Sequence, residues 1–312
     1  MKKPGTKNVG ASVRQRLINK ARETGRPFSE LLQYFAMERF LYRLSKSEHA
    51  DKFVLKGALM LTAWNAPLLR PTLDIDLLGR TPNDIGAMAA IVREICAVRV
   101  EPDDGLVFDA ATVQSERIAE AAEYEGVRIR FRATLDAARI QMQLDVGFGD
   151  IVVPAAVATI YPTILDLPAP HLLAYSRETA IAEKFEAMVK LGELNSRMKD
   201  FFDLWLLSRS FDFDGAQLSE AIEKTFSRRG TVLPNGEPVA LTGEFSGNPQ
   251  KRAQWAGFIR RMKLRDVPAL TEVVSELRAF LLPAIQALSA GVHFHFRWLA
   301  SGRQWSEGEA AG

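Results

Sequence analysis

FVLKGALML at residues 53–61 and TLDIDLLG at residues 72–79 decide how this chain folds. In the first, the apolar run Phe53-Val54-Leu55 reads as a short strand that reaches Gly57. ALMLTAWN then continues as a helix whose first turn follows the glycine. A loop with two prolines, Pro67 and Pro71, separates it from the second stretch. There Leu73, Ile75 and Leu77 alternate with Asp74 and Asp76, the period of a strand that buries one face and shows two carboxylates on the other.

Working outward, residues 12–24 and 29–46 read as helices, the second carrying Leu31, Leu32, Phe35, Ala36, Phe40, Leu41 and Leu44 at helical spacing behind Ser29 as N-cap. Residues 84–98 form an amphipathic helix and 106–117 a strand. VRIRFRATL and RIQMQLDVGFGD alternate like an antiparallel pair around a short connection. In the latter, Ile140, Met142, Leu144 and Val146 share one face, and Gln141, Gln143 and Asp145 the other. Past Pro154 the strand signals thin out. Helices are expected at 177–191, 198–209, 216–227, 251–264 and 268–290, with 228–250 a long Gly/Pro/Thr/Asn-rich loop. The layout is α+β: a helical N-terminal arm (1–48), a sheet-containing core (49–165), a helical C-terminal half (166–300) and a disordered tail (301–312).

Composition closes off several function classes. The 312 residues are 47% hydrophobic and 25% charged, enough for an ordinary globular core. No apolar run is long enough to span a bilayer. The basic N-terminal stretch MKKPGTKNVGASVRQR lacks the apolar segment of a signal peptide, so a cytoplasmic protein is expected. Cys96 is the single cysteine, which excludes intramolecular disulfides and CxxC zinc sites; it lies on an apolar helix face and reads as core. His293 and His295 have no nearby carboxylate and read as packing or surface residues. A net charge of +2 says little, but six basic residues and no acidic one lie between Lys251 and Arg265, interleaved with Trp255 and Phe258. That pattern suits phosphate contacts and base stacking, most directly through Arg260, Arg261 and Lys263. A plain solvated helix face is the competing reading.

The chemistry concentrates at Lys56-Gly57-Ala58, followed by 15 residues and then Asp74-Ile75-Asp76. A glycine lets backbone approach a phosphate, and a helix N-terminus offers it unpaired N–H groups. Two carboxylates on one strand face, with Asp145 from a later strand as a third, suit a hard divalent cation such as Mg²⁺ bound together with triphosphate oxygens. A DxD on a strand is more often simply a solvated face; the glycine turn upstream and Asp145 raise the weight of the metal reading.

FVLKGALML and RPTLDIDLLG, preceded by ERFLYRLSKS and followed in order by ETAIAEKFEAMV and SRMKDFFDLWLL, resemble the AbiEii/AbiGii toxin family. That family is the MenT-like toxin half of type IV toxin–antitoxin and abortive-infection systems, within the DNA-polymerase-β-like nucleotidyltransferases. The resemblance spans about residues 12–290 and implies a nucleotidyltransferase-fold mixed sheet. The implied activity is Mg²⁺-dependent transfer of NMP from an NTP to an RNA hydroxyl, the 3′ end of tRNA, with an AbiEi-like antitoxin encoded alongside. It maps the phosphate turn onto Gly57-Ala58, where Ala58 departs from the family's Gly/Ser, and a hydroxyl residue onto Thr72. The metal carboxylates fall on Asp74, Asp76 and Asp145, the helix lysine on Lys184, and the RxKDxxD motif on Arg197, Lys199, Asp200 and Asp203.

Read on their own terms, Ile181, Phe185, Met188 and Val189 make the buried stripe of their helix. Lys184 lies beside it, either as a phosphate-neutralising charge or as a snorkelling surface lysine. Asp200 and Asp203 share a helix face, and Arg197 can pair with Asp200. Asp200 is expected to orient Lys184 or to act as a base; Asp203 and Arg197 can equally be structural. Arg39 and Arg43 are expected on a solvated helix face. Two other activities stay open: nucleotide binding without transfer, and nucleotidylation of a protein hydroxyl.

Overall fold

The computed structural model describes residues 8–67, 70–120 and 124–307, which divide into two compact units. The first comprises residues up to Trp64, Pro71–Gly149 and Val157–Ala174. Its elements are α1 (Val9–Thr24), α2 (Phe28–Lys46), β1 (Phe53–Lys56), α3 (Leu59–Ala63), β2 (Asp74–Gly79), α4 (Ile85–Ala97), β3 (Leu106–Glu120), β4 (Tyr124–Leu135), β5 (Ala138–Phe148), β6 (Val157–Ile160) and β7 (His171–Ala174). The strands form one mixed sheet in the order β3-β4-β5-β2-β1-β7-β6. β2 runs parallel to β5 and β1 parallel to β7, while β1–β2, β3–β4, β4–β5 and β6–β7 are antiparallel. The α+β class with a mixed sheet is therefore the observed one.

The alternation read from sequence sets the core. Ile75 and Leu77 on β2, Ile129 and Phe131 on β4, and Met142 and Leu144 on β5 are buried on one face. α2 packs there, and Phe40 meets Phe108 and Phe131 at ring-centroid distances of 5.7 and 5.1 Å. α4 adds Met88, Val92, Ile95 and the buried thiol of Cys96, whose pKa burial pushes up to about 12.

Three expectations are corrected here. The N-terminal helices are no arm: α2 is buried almost around its whole circumference, from Leu31 to Leu44. Consequently Arg39 and Arg43 are not solvated; they are 1% and 5% exposed. Arg43 forks onto Asp104 at 2.7 and 2.9 Å, Arg39 bonds Glu38 at 3.1 Å and the Pro168 carbonyl at 2.9 Å, and Glu38 accepts the Ile164 N–H at 2.7 Å. Burying such charges is tolerable only because each is paired; even so, desolvation raises the Glu38 pKa to about 7. Finally, the sheet extends beyond residue 165. HLLA and VATI are too short for an alternation signal, yet β7 adds directly to β1, so the boundary falls after Ala174.

The second unit comprises residues 65–70, 150–156 and from Tyr175 onward. It contains α5 (Arg177–Leu191), α6 (Met198–Ser210), β8 (Phe213–Asp214), α7 (Gly215–Arg228), α8 (Gly243–Gly247), α9 (Pro249–Met262), α10 (Leu270–Ser289), β9 (Phe296–Leu299) and β10 (Gln304–Glu307). Ser176 caps α5 by accepting the Thr179 N–H, and Ile181, Phe185 and Met188 are fully buried. Residues 239–247, expected as loop, form a 3-10 turn and α8, because Leu241 and Phe245 dock inward and Phe245 stacks on Phe201 at 5.4 Å. The tail expected to be disordered from Ser301 is ordered through Glu307. β10 pairs with β9, and Trp305 packs on Phe280 and Trp298 while its indole N–H donates to the Phe280 carbonyl at 3.0 Å. Aromatic anchoring of this kind is invisible to composition, which sees only a polar, glycine-containing end; residues 308–312 lie outside the described ones. Among the described residues no helix is long and apolar enough to cross a membrane.

Candidate active site

In the first unit, strand register lines up four charged residues. Lys56 lies opposite Asp76, Asp76 opposite Asp145, and Asp145 opposite Arg128, one row running across β1, β2, β5 and β4. Adjacent strands are about 4.8 Å apart, so the two aspartates of this row are forced together, and Asp74, two residues back on β2, joins them from the same face. One ligand oxygen from each of Asp74, Asp76 and Asp145 lies within 4.8 Å of the other two. Oxygens bound to one Mg²⁺ at roughly 2.1 Å sit at most about 4.2 Å apart, so small side-chain rotations bring this hard, anionic donor set onto a divalent cation. The residues present fit such an ion.

The surrounding contacts hold the carboxylates in place. Thr72 donates its hydroxyl to Asp74, and its own N–H donates to the Tyr34 hydroxyl at 3.1 Å. Arg128 grips Asp145 at both oxygens, Nε to Oδ1 at 2.8 Å and Nη2 to Oδ2 at 2.6 Å. That bond is the main reason the guanidinium pKa rises above its ordinary value, burial opposing it and the charges of Asp145, Glu116 and Asp74 adding. Each gripped oxygen keeps lone-pair capacity for a metal. Gly57 has φ +73°, and a Cβ placed there would sit 2.0 Å from Asp76 Oδ2. The turn is glycine because it needs the left-handed region and because a carboxylate occupies the space of its side chain. The helix after it, α3, has only five residues, less of a dipole than the sequence suggested, and Ala58 at its start is buried.

The second unit holds a separate charged cluster. Lys184 Nζ lies 2.7 Å from Asp203 Oδ2 and 3.3 Å from Asp200 Oδ1. Arg70 binds Asp203 bidentately at 2.7 and 2.9 Å. Arg197 Nε lies 2.7 Å from Asp200 Oδ2, an ion pair whose N–H does not point along a hydrogen bond. Both aspartates are about 1% exposed. Burial alone would raise the Asp203 pKa, but Arg70 and Lys184 outweigh it and hold the carboxylate well below the usual range. For Lys184, burial lowers the pKa and Asp203 with Asp200 overcome it, so the ammonium stays charged. Lys184 is therefore no snorkelling surface lysine: it is held between two carboxylates.

Two participants escaped the sequence reading. Arg70 stands in the quoted RPTLDID stretch without drawing attention there. Arg128 was legible in principle, since pairing VRIRFR against QMQLD in antiparallel register sets a cation opposite Asp145. One expectation fails. Trp255 and Phe258 are 4% exposed and pack inward against Phe202 and each other, so they offer no stacking surface for bases. Lys251 is likewise buried, donating to the Asn195 carbonyl at 2.8 Å. The apolar period of α9 belongs to the core, while Arg260 and Arg261 in its last turn and Lys263 just past its end remain exposed.

Residues 39–282 match the family model described as "Nucleotidyl transferase AbiEii toxin, Type IV TA system", which sets the class of this protein as a nucleotidyl transferase. The chain belongs to the AbiEii toxin family of type IV toxin–antitoxin systems. Among solved structures, a candidate nucleotidyltransferase from H. pylori is 14% identical, with 85% of this chain and 94% of that one aligned at a TM-score of 0.41. JHP933 from Helicobacter pylori is 13% identical, with 82% and 88% covered at 0.42. No curated protein matches the sequence.

Proposed function

We propose that this toxin transfers a nucleoside monophosphate from an NTP to an RNA hydroxyl at the 3′ end of a tRNA, in the cytoplasm, and that an AbiEi-like antitoxin encoded alongside restrains it. The observation that carries this reading is the convergence of Asp74, Asp76 and Asp145. These three residues would hold Mg²⁺, which supplies charge stabilisation at the attacking and leaving oxygens. The acceptor hydroxyl gives its proton to solvent as its oxygen forms a bond to the α-phosphorus, the bond from that phosphorus to the β-phosphate oxygen breaks, and pyrophosphate leaves with the electron pair. The chain's own contribution is positioning. Thr72 fixes the rotamer of Asp74, Arg128 fixes Asp145, and the Lys56-Gly57-Ala58 turn brings backbone next to Asp76. We assign Lys184, kept charged by Asp200 and Asp203, to phosphate neutralisation, with Arg197 and Lys199 of the same motif as nucleotide contacts. Asp200 acts as the residue that orients Lys184. Arg260, Arg261 and Lys263 are assigned to RNA phosphates.

One rival has an observation in its favour. The bidentate hold of Arg128 on Asp145, together with Ala58 in the phosphate turn, favours nucleotide binding without transfer. Incubation of the protein with each α-³²P-NTP and total cell extract separates the readings. Transfer to RNA gives nuclease-sensitive label and free pyrophosphate, both lost in Asp74→Ala. Protease-sensitive label points to a protein acceptor, and bound nucleotide with no pyrophosphate points to the binding module; either outcome overturns the proposal.

A further inference from the structure

The second unit contains a cavity of about 400 Å³ with a divided lining. Its walls carry four cations, Arg70, Arg197, Lys199 and Arg261, while Met198, Phe258 and Met262 supply an apolar floor. Arg70 and Arg197 are engaged with Asp203 and Asp200. Lys199 and Arg261 are exposed, and among the described residues no ion pair engages either. Among the described residues, the lining has four cations and no carboxylate, and the two carboxylates that Arg70 and Arg197 engage, Asp203 and Asp200, are shared with Lys184. A surplus of positive charge beside an apolar floor selects a ligand with an anionic end and a flat, weakly polar body. The volume is that of a single nucleotide and too small for a duplex.

A further feature points the same way. Gln254 lines the cavity, and the buried oxygen of its amide has no hydrogen-bond partner. An orphaned buried amide is costly unless something pairs with it, and its donor–acceptor end suits the edge of a base, whichever way the amide is turned.

We infer that this cavity is an acceptor-strand subsite: it takes one ribonucleotide of single-stranded RNA, the phosphodiester against Arg261 and the base over Met198 and Met262 beside Gln254. The assignment rests on the RNA-acceptor reading above and adds where the strand is gripped. An incoming NTP carries the same nucleoside-phosphate chemistry, so the experiment must tell the two sources apart.

Equilibrium binding is measured on the full chain with a short fluorescent single-stranded RNA over a range of salt, and in parallel with a non-hydrolysable NTP. Two kinds of variant are compared with the unaltered protein. Arg261→Ala removes a charge that lines the cavity. Gly257→Trp fills the cavity without touching a charge, since a Cβ at Gly257, on the wall, meets nothing within 4 Å. The expected result is a roughly tenfold loss of RNA affinity in each variant, with the salt slope falling by about one in Arg261→Ala and unchanged in Gly257→Trp. NTP affinity and melting temperature stay as they were. If RNA affinity is untouched in both variants, or if NTP affinity falls in either, the subsite assignment is wrong. Absence of label transfer by the unaltered protein would sink the reaction proposed above while leaving these binding measurements to decide the subsite on their own.

Discussion

Replacing Gly57 by alanine isolates the link between backbone and carboxylate. The new Cβ would start 2.0 Å from Asp76 Oδ2 and 2.7 Å from its Cγ, whereas ordinary contact begins near 3.4 Å. The carboxylate must therefore retreat by roughly 1.4 Å, and a misplacement of about 1 Å at a reacting centre can cost on the order of 10²-fold in rate. Alanine at φ +73° adds a backbone penalty of about 1–2 kcal/mol, which lowers stability without touching the site. Gly230 supplies the control: its φ is +65°, yet a Cβ there meets nothing within 4 Å. Gly57→Ala and Gly230→Ala should lose similar stability in urea titrations, while only Gly57→Ala loses label transfer, by at least two orders of magnitude. Equal activity in the two variants would refute the idea that the turn positions Asp76.

Arg128→Gln removes a positive charge and a bidentate grip from Asp145. Titration with Mn²⁺ should show weaker binding, by roughly 10-fold or more, because Asp145 is no longer held in place; tighter binding would mean that Arg128 competes with the ion for the carboxylate instead of positioning it. Phe131→Ala empties a site lined by Phe40 and Phe108 and should cost about 3–5 kcal/mol, seen as a lower urea midpoint at unchanged slope. Glu38 is protonated more readily in the folded chain, with its pKa raised from 4.5 to about 7. A raised folded pKa contributes stability that is complete below pH 4.5 and fades as pH climbs to about 7. Glu38→Gln should flatten that decline, and a variant that still loses stability over this window assigns the decline to other groups.

What the sequence revealed and what it hid follow from the range of the signals. Alternation in TLDIDLLG and RIQMQLDVGFGD is local, so the acidic faces of β2 and β5 were readable, and strand register then dictates that Asp76 and Asp145 meet. The i,i+3 spacing of Arg197 and Asp200 is equally local. The partners that lie far away in sequence were not readable. Arg43 looks like surface until Asp104, 61 residues on, is seen beneath it, and Arg70 gains meaning only from Asp203. Trp255 and Phe258 show the converse failure, because aromatic residues between cations have the same pattern whether they face RNA or their own core. The short strands β6 and β7 carry too few residues for any period and are held by pairing with a sheet that already exists.

The account stands on three carboxylates acting together, and the rate of pyrophosphate release by Asp76→Asn tests it most directly. Asparagine keeps the shape and removes the charge. Release should fall by roughly 10²–10³-fold or more while the variant melts within a few degrees of the unaltered protein. A rate within a few-fold of the original would contradict a metal-holding role for this cluster.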